Sequence, residues 1–320
     1  MRILITGGTG FVGRYLVERL GPDHELALLA FPGEKTPPGV KVFRGDLTRV
    51  ETLAEAAAWP EAVIHGAGLL RSLKDEGYFR VNAQGTRHLV ESLKSVNPGL
   101  RHLILFSSLM AGGLATAADR PLTERDPARP EGAYGKSKAE AEAIVAASGL
   151  PHTIFRITSI YGAGSSEYQE FFAFAKRGLA PRLGAGEKWF SLVHVADVAE
   201  ASARVLQAPP GPANLFYLAD GGIVTMTEMV ASIQRHYPRP LRRITVPGLA
   251  LRAVAWMQEA SGHLTGKAPV LDRSKARILL HPYLVCSSRA FTAAYPDFRF
   301  RPLDAGIEEM YLEYKARGLA

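Results

Sequence analysis

Short apolar runs bounded by Gly, Pro or Asp recur through the first half of the chain, with helical stretches between them. The runs are RILIT (2–6), HELALLA (24–30), VKVF (40–43), AVIH (62–65), HLILFSS (102–108) and HTIFRI (152–157). They are too short for helices and too continuously apolar for strands with one wet face, so each reads as a strand buried on both sides. Residues 11–20, 50–59, a stretch within 78–94 and 134–148 carry helical patterning. Strand alternating with helix implies right-handed βαβ units, hence an α/β fold on a doubly wound parallel sheet.

After about residue 157 the pattern loosens. A helix is expected over 168–176, a strand running into a helix within LVHVADVAEASARVLQA, a strand at 214–219 and a helix near 227–237. We expect a dinucleotide-binding domain over 1–164, with elements near 186–220 returning to it. Residues 165–320 then form mainly a smaller, interleaved substrate-binding lobe with a soft boundary. With 320 residues, 47% of them hydrophobic, the chain can bury a core of that size. No internal repeat is present.

The first strand leads through ITGGTGFVGRYLV (5–17) into the first helix. This stretch satisfies both Gly8-x-Gly10-x-x-Gly13 and Gly7-x-x-Gly10-x-x-Gly13. Glycines there allow a tight turn and close approach of backbone to a pyrophosphate, and the helix N-terminus offers free N–H groups to the anion. Between strand and helix, the motif marks a Rossmann-type dinucleotide site. A ribose-binding acid is expected at the end of the second strand, where this chain has Ala30 and Phe31. Glu34 reads as badly placed beyond a Pro-Gly turn. Arg14 and Lys35 are candidates to meet a 2′-phosphate, which tips the reading towards NADP, with NAD as the alternative.

The net charge of +7 comes without a dense Lys/Arg run, so it fits a phosphate-bearing small molecule better than nucleic acid. Cys286 is the only cysteine, which excludes an intrachain disulfide. No apolar run reaches the roughly 18 residues a membrane span needs, and the N-terminus does not read as a secretory leader. A cytoplasmic protein without an integral membrane segment is expected. The nine histidines show no metal-ligand spacing, so no metal site is expected.

In GAYGKSKAEAE (132–142), Tyr134 and Lys138 stand four apart on one helix face. Together with the glycine turn, GDL (45–47), VIHGAG (63–68), VNAQGT (81–86), FSS (106–108) and LVHVADVAEA (192–201), this stretch makes the chain resemble the extended short-chain dehydrogenase/reductases, the NAD-dependent epimerase/dehydratase family. The resemblance covers nearly the whole length. It implies that Gly7, Gly10, Phe11 and Val12 lie along the cofactor diphosphate. Asp46 accepts from the adenine and Leu47 contributes backbone; Asp46 as a helix cap is the alternative. Gly66, Ala67 and Gly68 line the cofactor, and Asn82 touches it or orders water nearby. His65 reads as a satisfied core histidine and Asp197 as structural.

The resemblance makes Ser108, Tyr134 and Lys138 the catalytic residues, with Ser107 the rival for Ser108. Tyr134 moves a proton while hydride passes to or from the nicotinamide, and Lys138 holds the ribose. A free phenol has a pKa near 10, and the nearby ammonium together with the positive charge of the oxidised nicotinamide is expected to lower it.

The chain departs from the nucleotide-sugar members of the family at the substrate end. Ser159 stands where they carry an asparagine, next to Thr158, and Trp189 stands near their diphosphate-binding arginine. With the apolar stretch VPGLALRAVAWMQEA (246–260), this points to an apolar substrate, as in the 3β-hydroxysteroid dehydrogenase and dihydroflavonol reductase branch. The expected activity is NAD(P)-dependent interconversion of an alcohol and a ketone or aldehyde. The alternatives are a nucleotide-sugar epimerase or dehydratase and a non-catalytic dinucleotide sensor. The resemblance also leaves open a homodimer formed through helices beside the active site.

Overall fold

The computed structural model describes residues 1–319. Six strands of the main sheet match the six apolar runs to within a residue: β1 (Arg2–Thr6), β2 (Glu25–Ala30), β3 (Lys41–Arg44), β4 (Ala62–His65), β5 (His102–Ser108) and β6 (His152–Ile157). A seventh strand, Ala213–Leu218, joins beside β6, and every pairing in this sheet is parallel. The order is Ala213–Leu218, β6, β5, β4, β1, β2, β3. The chain therefore winds outward in both directions from β1 and β4, and a crevice opens between their carboxyl ends.

Alternate residues of these strands feed two cores. Ile3, Ile5, Leu28, Ile64 and Phe106 pack on one face with the Phe11–Leu20 and Val195–Gln207 helices. Leu4, Leu29, Val63 and Leu105 pack on the other, with the Gly85–Val96 and Gly132–Ala146 helices. Each fully buried Leu or Ile contributes roughly 1.5–3 kcal/mol of hydrophobic stabilisation. Burial on both faces explains why the inner strands read as nearly unbroken apolar runs, whereas β3 at the sheet edge exposes Lys41 and Arg44.

Several elements differ from the expectation. Residues 50–59 split into a tight turn at Val50–Thr52 and a short helix at Ala54–Ala58, which Pro60 prevents from continuing. The helix around 78–94 runs from Asp75 to Val96, with a π-helical stretch at Phe79–Gln84. The stretch 246–260 splits at Pro247 into a strand, Arg242–Val246, and a helix, Gly248–Thr265.

Helices Ser166–Lys176, Met226–Gln234 and Leu303–Ala316 form a separate small core with Tyr161, Phe172, Met229, Met310 and Tyr314. The segment Phe291–Phe298 returns to the sheet: Phe291, Tyr295 and Phe298 join the core that holds Phe155 and Phe216. No helix among the described residues is long and apolar enough to cross a membrane.

Candidate active site

The glycine turn sits at the crevice. Gly7 has φ +72°, and a Cβ there would lie 2.7 Å from the Ala67 nitrogen, so the turn and the β4 loop touch backbone to backbone. The following helix begins at Gly10 with no side-chain cap, which leaves its first amides facing the crevice. A dinucleotide pyrophosphate fits this cradle, because nothing larger than hydrogen projects from Gly7 and the helix start lacks an anion of its own.

A cleft of about 980 Å³ extends from this turn, lined by Gly7, Gly10, Phe11, Val12, Asp46, Leu47, Gly66, Ala67 and Gly68 at one end and by Ser108, Tyr134, Lys138, Thr158 and Ser159 further along. Asp46 Oδ1 accepts from both the backbone nitrogen and the hydroxyl of Thr48 at 2.8 Å, so it also braces its own turn. His65 is a buried link, with Nδ1 2.6 Å from the Thr6 hydroxyl and Nε2 2.9 Å from that of Thr86. Thr6 already accepts from the Ala67 nitrogen and Thr86 donates to the Asn82 carbonyl, which assigns the His65 proton to Nε2. Burial drives the imidazole pKa down to about 3, so the link stays neutral.

Three expected site residues stand elsewhere. Arg14 is turned away from the cleft; its guanidinium donates to the Ala163 carbonyl at 2.7 Å and stacks on Tyr15. Asn82 is buried in the π-helical stretch, where its amide is fully used within the protein: Oδ1 accepts from the Leu69 nitrogen at 2.6 Å and Nδ2 donates to Ser137 Oγ at 3.0 Å. It positions the loop after Gly68 and the helix carrying Tyr134. Trp189 lies in a small sheet, paired with Thr225 and Tyr283, and its neighbour Phe190 reaches the cleft instead because successive strand residues face opposite ways. Thr158 lines the cleft, but its hydroxyl donates to the Ser191 carbonyl at 2.6 Å. Asp197 accepts from the Arg301 nitrogen at 2.7 Å, a structural role.

Glu34, badly placed by its position in the sequence, lines the cleft. Its carboxylate accepts from the Thr9 hydroxyl in the glycine turn and from the Phe31 nitrogen at 3.0 Å. The Pro-Gly turn folds back on β2 and so returns Glu34 to the strand end. Lys35 does not line the cleft.

Ser108 ends β5 and Tyr134 lies in the first turn of its helix, and both line this part of the cleft, the Ser108 hydroxyl accepting from the Met110 nitrogen at 3.2 Å. Ser107 is excluded from that place, because its hydroxyl donates to Glu142 at 2.5 Å. Tyr78 packs edge-on against the Tyr134 ring, centroids 6.0 Å apart. Packing around the Tyr134 phenol raises its pKa to about 12, against a smaller downward pull from Ser108. The expected lowering by Lys138 is absent. The Lys138 ammonium is held 2.8 Å from the Phe106 carbonyl, and burial lowers its own pKa to about 8, with Glu142 pulling it back up. Gly68 leaves room for it, since a Cβ there would lie 3.0 Å from Nζ.

Beneath these groups lies an ion pair that no sequence motif announced. Arg156 on β6 donates to both carboxylate oxygens of Glu142, at 2.7 Å in the closest contact, and to the Tyr217 hydroxyl at 3.1 Å. Both partners are over nine-tenths buried. Glu142 continues the four-residue spacing of Tyr134 and Lys138, and that spacing was the signal available in the sequence.

The model of the NAD dependent epimerase/dehydratase family matches residues 3–215, from β1 through half of the seventh strand. The chain belongs to that family. Its members are NAD-dependent enzymes, and the match covers the glycine turn, Asp46, Ser108, Tyr134 and Lys138. Among curated relatives, a ceramide reductase from Caulobacter vibrioides is 29% identical over 99% of this chain and 95% of the relative. A UDP-glucose 4-epimerase from Vibrio cholerae is 26% identical over 85% and 84%. The solved structure of the enzyme WbmG from Bordetella bronchiseptica in complex with NAD superposes with a TM-score of 0.78 at 20% identity, covering 100% of this chain and 96% of that one, which supports the fold.

Proposed function

We propose that the protein interconverts an alcohol and a ketone or aldehyde on a relatively apolar small molecule, with Tyr134 as the acid/base. The observation that carries this reading is that Ser108, at the carboxyl edge of β5, and Tyr134 both line the cleft that begins at the glycine turn. A nicotinamide dinucleotide bound along the turn supplies or accepts the hydride. The Ser108 hydroxyl holds the substrate oxygen. Tyr134, protonated across the neutral range, donates to that oxygen in the reducing direction. Lys138, still charged at neutral pH, holds a ribose hydroxyl from its place on the Phe106 carbonyl.

Glu34 supports NAD rather than NADP, because a carboxylate at the end of β2 accepts a ribose hydroxyl and repels a 2′-phosphate. For the substrate, Leu109, Met110, Ile160, Phe190, Val270 and Leu284 supply apolar wall. Ceramide, named in one relative, is a long-chain molecule that such a wall suits. A nucleotide-sugar reading draws support from Arg273 and Lys275, which also line the cleft. Both are already paired, with Glu259 at 2.6 Å and Glu167 at 2.7 Å, which weakens their call on a diphosphate.

The test is NADH oxidation against a panel of aliphatic and aromatic ketones, beside calorimetric titration with UDP-glucose. Turnover of free NADH is expected, and Tyr134→Phe should lower it by roughly 10²–10⁴-fold while NADH binding survives. Full turnover by that variant overturns the role of Tyr134. UDP-glucose binding with tightly retained NAD, and no ketone turnover, overturns the reductase reading.

A further inference from the structure

The Gly248–Thr265 helix is apolar on two opposite faces. Leu251 and Ala255 are buried with Ala276, against Leu183, Leu279 and Leu280. At roughly 100° per residue, the opposite face carries Leu249, Ala253, Trp256, Met257, Ala260 and Leu264. Its large side chains stand in solvent: Leu249 is 80% exposed, Trp256 61%, Met257 54% and Leu264 89%. A stripe of this kind marks an interaction surface.

Two further observations identify the partner. The first is charge. Arg252, one turn before Trp256 on the same helix, and Lys267, two residues past its end, are exposed and in no ion pair among the described residues, whereas Arg273, Lys275 and Arg277 are each paired with a carboxylate. The second is position. Glu259 and His263 of the same helix line the cleft, as do Val270 and Leu70, and Leu70 is itself 72% exposed. The stripe thus borders the cleft mouth.

We propose that this face docks on an anionic lipid bilayer. The helix then lies in the interfacial plane with Trp256 and Leu264 among the headgroups and acyl ends, and the unpaired cations face the anionic surface. At 18 residues and about 1.5 Å per residue, the helix lies along a membrane and is too short and too polar on its flanks to span one. A second copy of the chain fits less well, because the unpaired cations of two copies would face each other. The cleft mouth would open beside the lipid, which gives an apolar substrate a route that avoids bulk water. The docking itself does not depend on the proposed reaction and is measured without substrate.

The test is co-sedimentation of the full chain with vesicles of phosphatidylcholine alone or mixed with phosphatidylglycerol, with Trp256 emission read alongside. Binding to the anionic vesicles and a blue shift absent from Trp256→Phe are expected. Arg252→Gln and Lys267→Gln should each weaken binding roughly fivefold, and added salt should weaken it further. Trp256→Ser with Leu264→Ser should weaken it at least about tenfold. Turnover of a soluble ketone should be unchanged in all of these, which separates failure of docking from failure of the reaction. Absence of vesicle binding, or binding unchanged in the double variant, overturns the proposal. So does a concentration-dependent dimer in sedimentation velocity that the double variant abolishes.

Discussion

Replacing Lys138 by Met should make the ligand-free protein more stable at pH 7 and less stable above about pH 10.5. Lys138 is only 5% exposed, and its pKa falls from 10.5 to about 8, chiefly through burial. A lysine whose folded value lies below its unfolded one destabilises the fold wherever both states carry the charge. Here that penalty is fully present below pH 8, shrinks between about pH 8 and 10.5 as the folded protein releases its proton first, and is gone above. Its full size is roughly 3 kcal/mol. Met removes the penalty and also removes the hydrogen bond to the Phe106 carbonyl, worth about 1 kcal/mol.

The net expectation is a gain of about 2 kcal/mol at pH 7 that becomes a loss of about 1 kcal/mol once the wild-type lysine is neutral in both states. Urea denaturation of both proteins at pH 7, 8.5 and 10.5, followed by circular dichroism without cofactor, reads the difference directly. A difference that stays constant across this range would refute the reasoning, as would a variant that is less stable at pH 7. Either result would mean that the ammonium is well solvated or fully compensated in its pocket.

Glu142→Gln leaves the Arg156 charge buried beside a neutral amide, so it should destabilise by about 3–5 kcal/mol. For a chain of this length that lowers the melting temperature by roughly 5–7 °C in calorimetry; an unchanged melt removes the pair from the account of stability. Glu34→Gln removes the negative charge that would face a 2′-phosphate, a repulsion of about 1 kcal/mol at roughly 6 Å in water-like surroundings. The NADP-to-NAD affinity ratio should rise about fivefold in fluorescence titrations, and no change would free the cofactor preference from Glu34. Gly7→Ala places a Cβ against Ala67 at φ +72° and should cost at least about 2 kcal/mol of NADH affinity, read as a lost thermal shift.

The sheet was legible because a strand buried on both faces has to be largely apolar, as β1, β2, β4, β5 and β6 are, while β3 at the sheet edge leaves Lys41 and Arg44 exposed. The cofactor end was legible for a related reason: glycines are forced where backbone meets backbone, as at Gly7 and Ala67. Side-chain direction was harder to read. Trp189 and Phe190 are adjacent, and only the pairing of Trp189 with Thr225 and Tyr283 decides which of them faces the cleft. Glu34 was misjudged because distance along the chain does not reveal that Pro32 and Gly33 fold the loop back onto β2. Short strands such as Leu179–Leu183, with a proline at its centre, carry too little pattern to be seen before their partner Arg242–Val246 is known.

The electrostatics of the catalytic end bear on how the site works. Sequence alone suggested that an ammonium and an oxidised nicotinamide together acidify a phenol, yet without the cofactor the two protein groups respond to burial in opposite directions, Tyr134 up to about 12 and Lys138 down to about 8. Each is pushed towards its neutral form, as any group is when water is removed from around it. Glu142 restrains this for Lys138 and is itself anchored by Arg156 and Ser107. The ligand-free site is therefore set as a proton donor. Proton abstraction from an alcohol requires a further positive charge near the phenol, and of the groups proposed to meet in this cleft only an oxidised nicotinamide brings one. On this argument, Tyr134 serves as a base only after the oxidised cofactor has bound, and the oxidising direction should follow an ordered sequence with cofactor first.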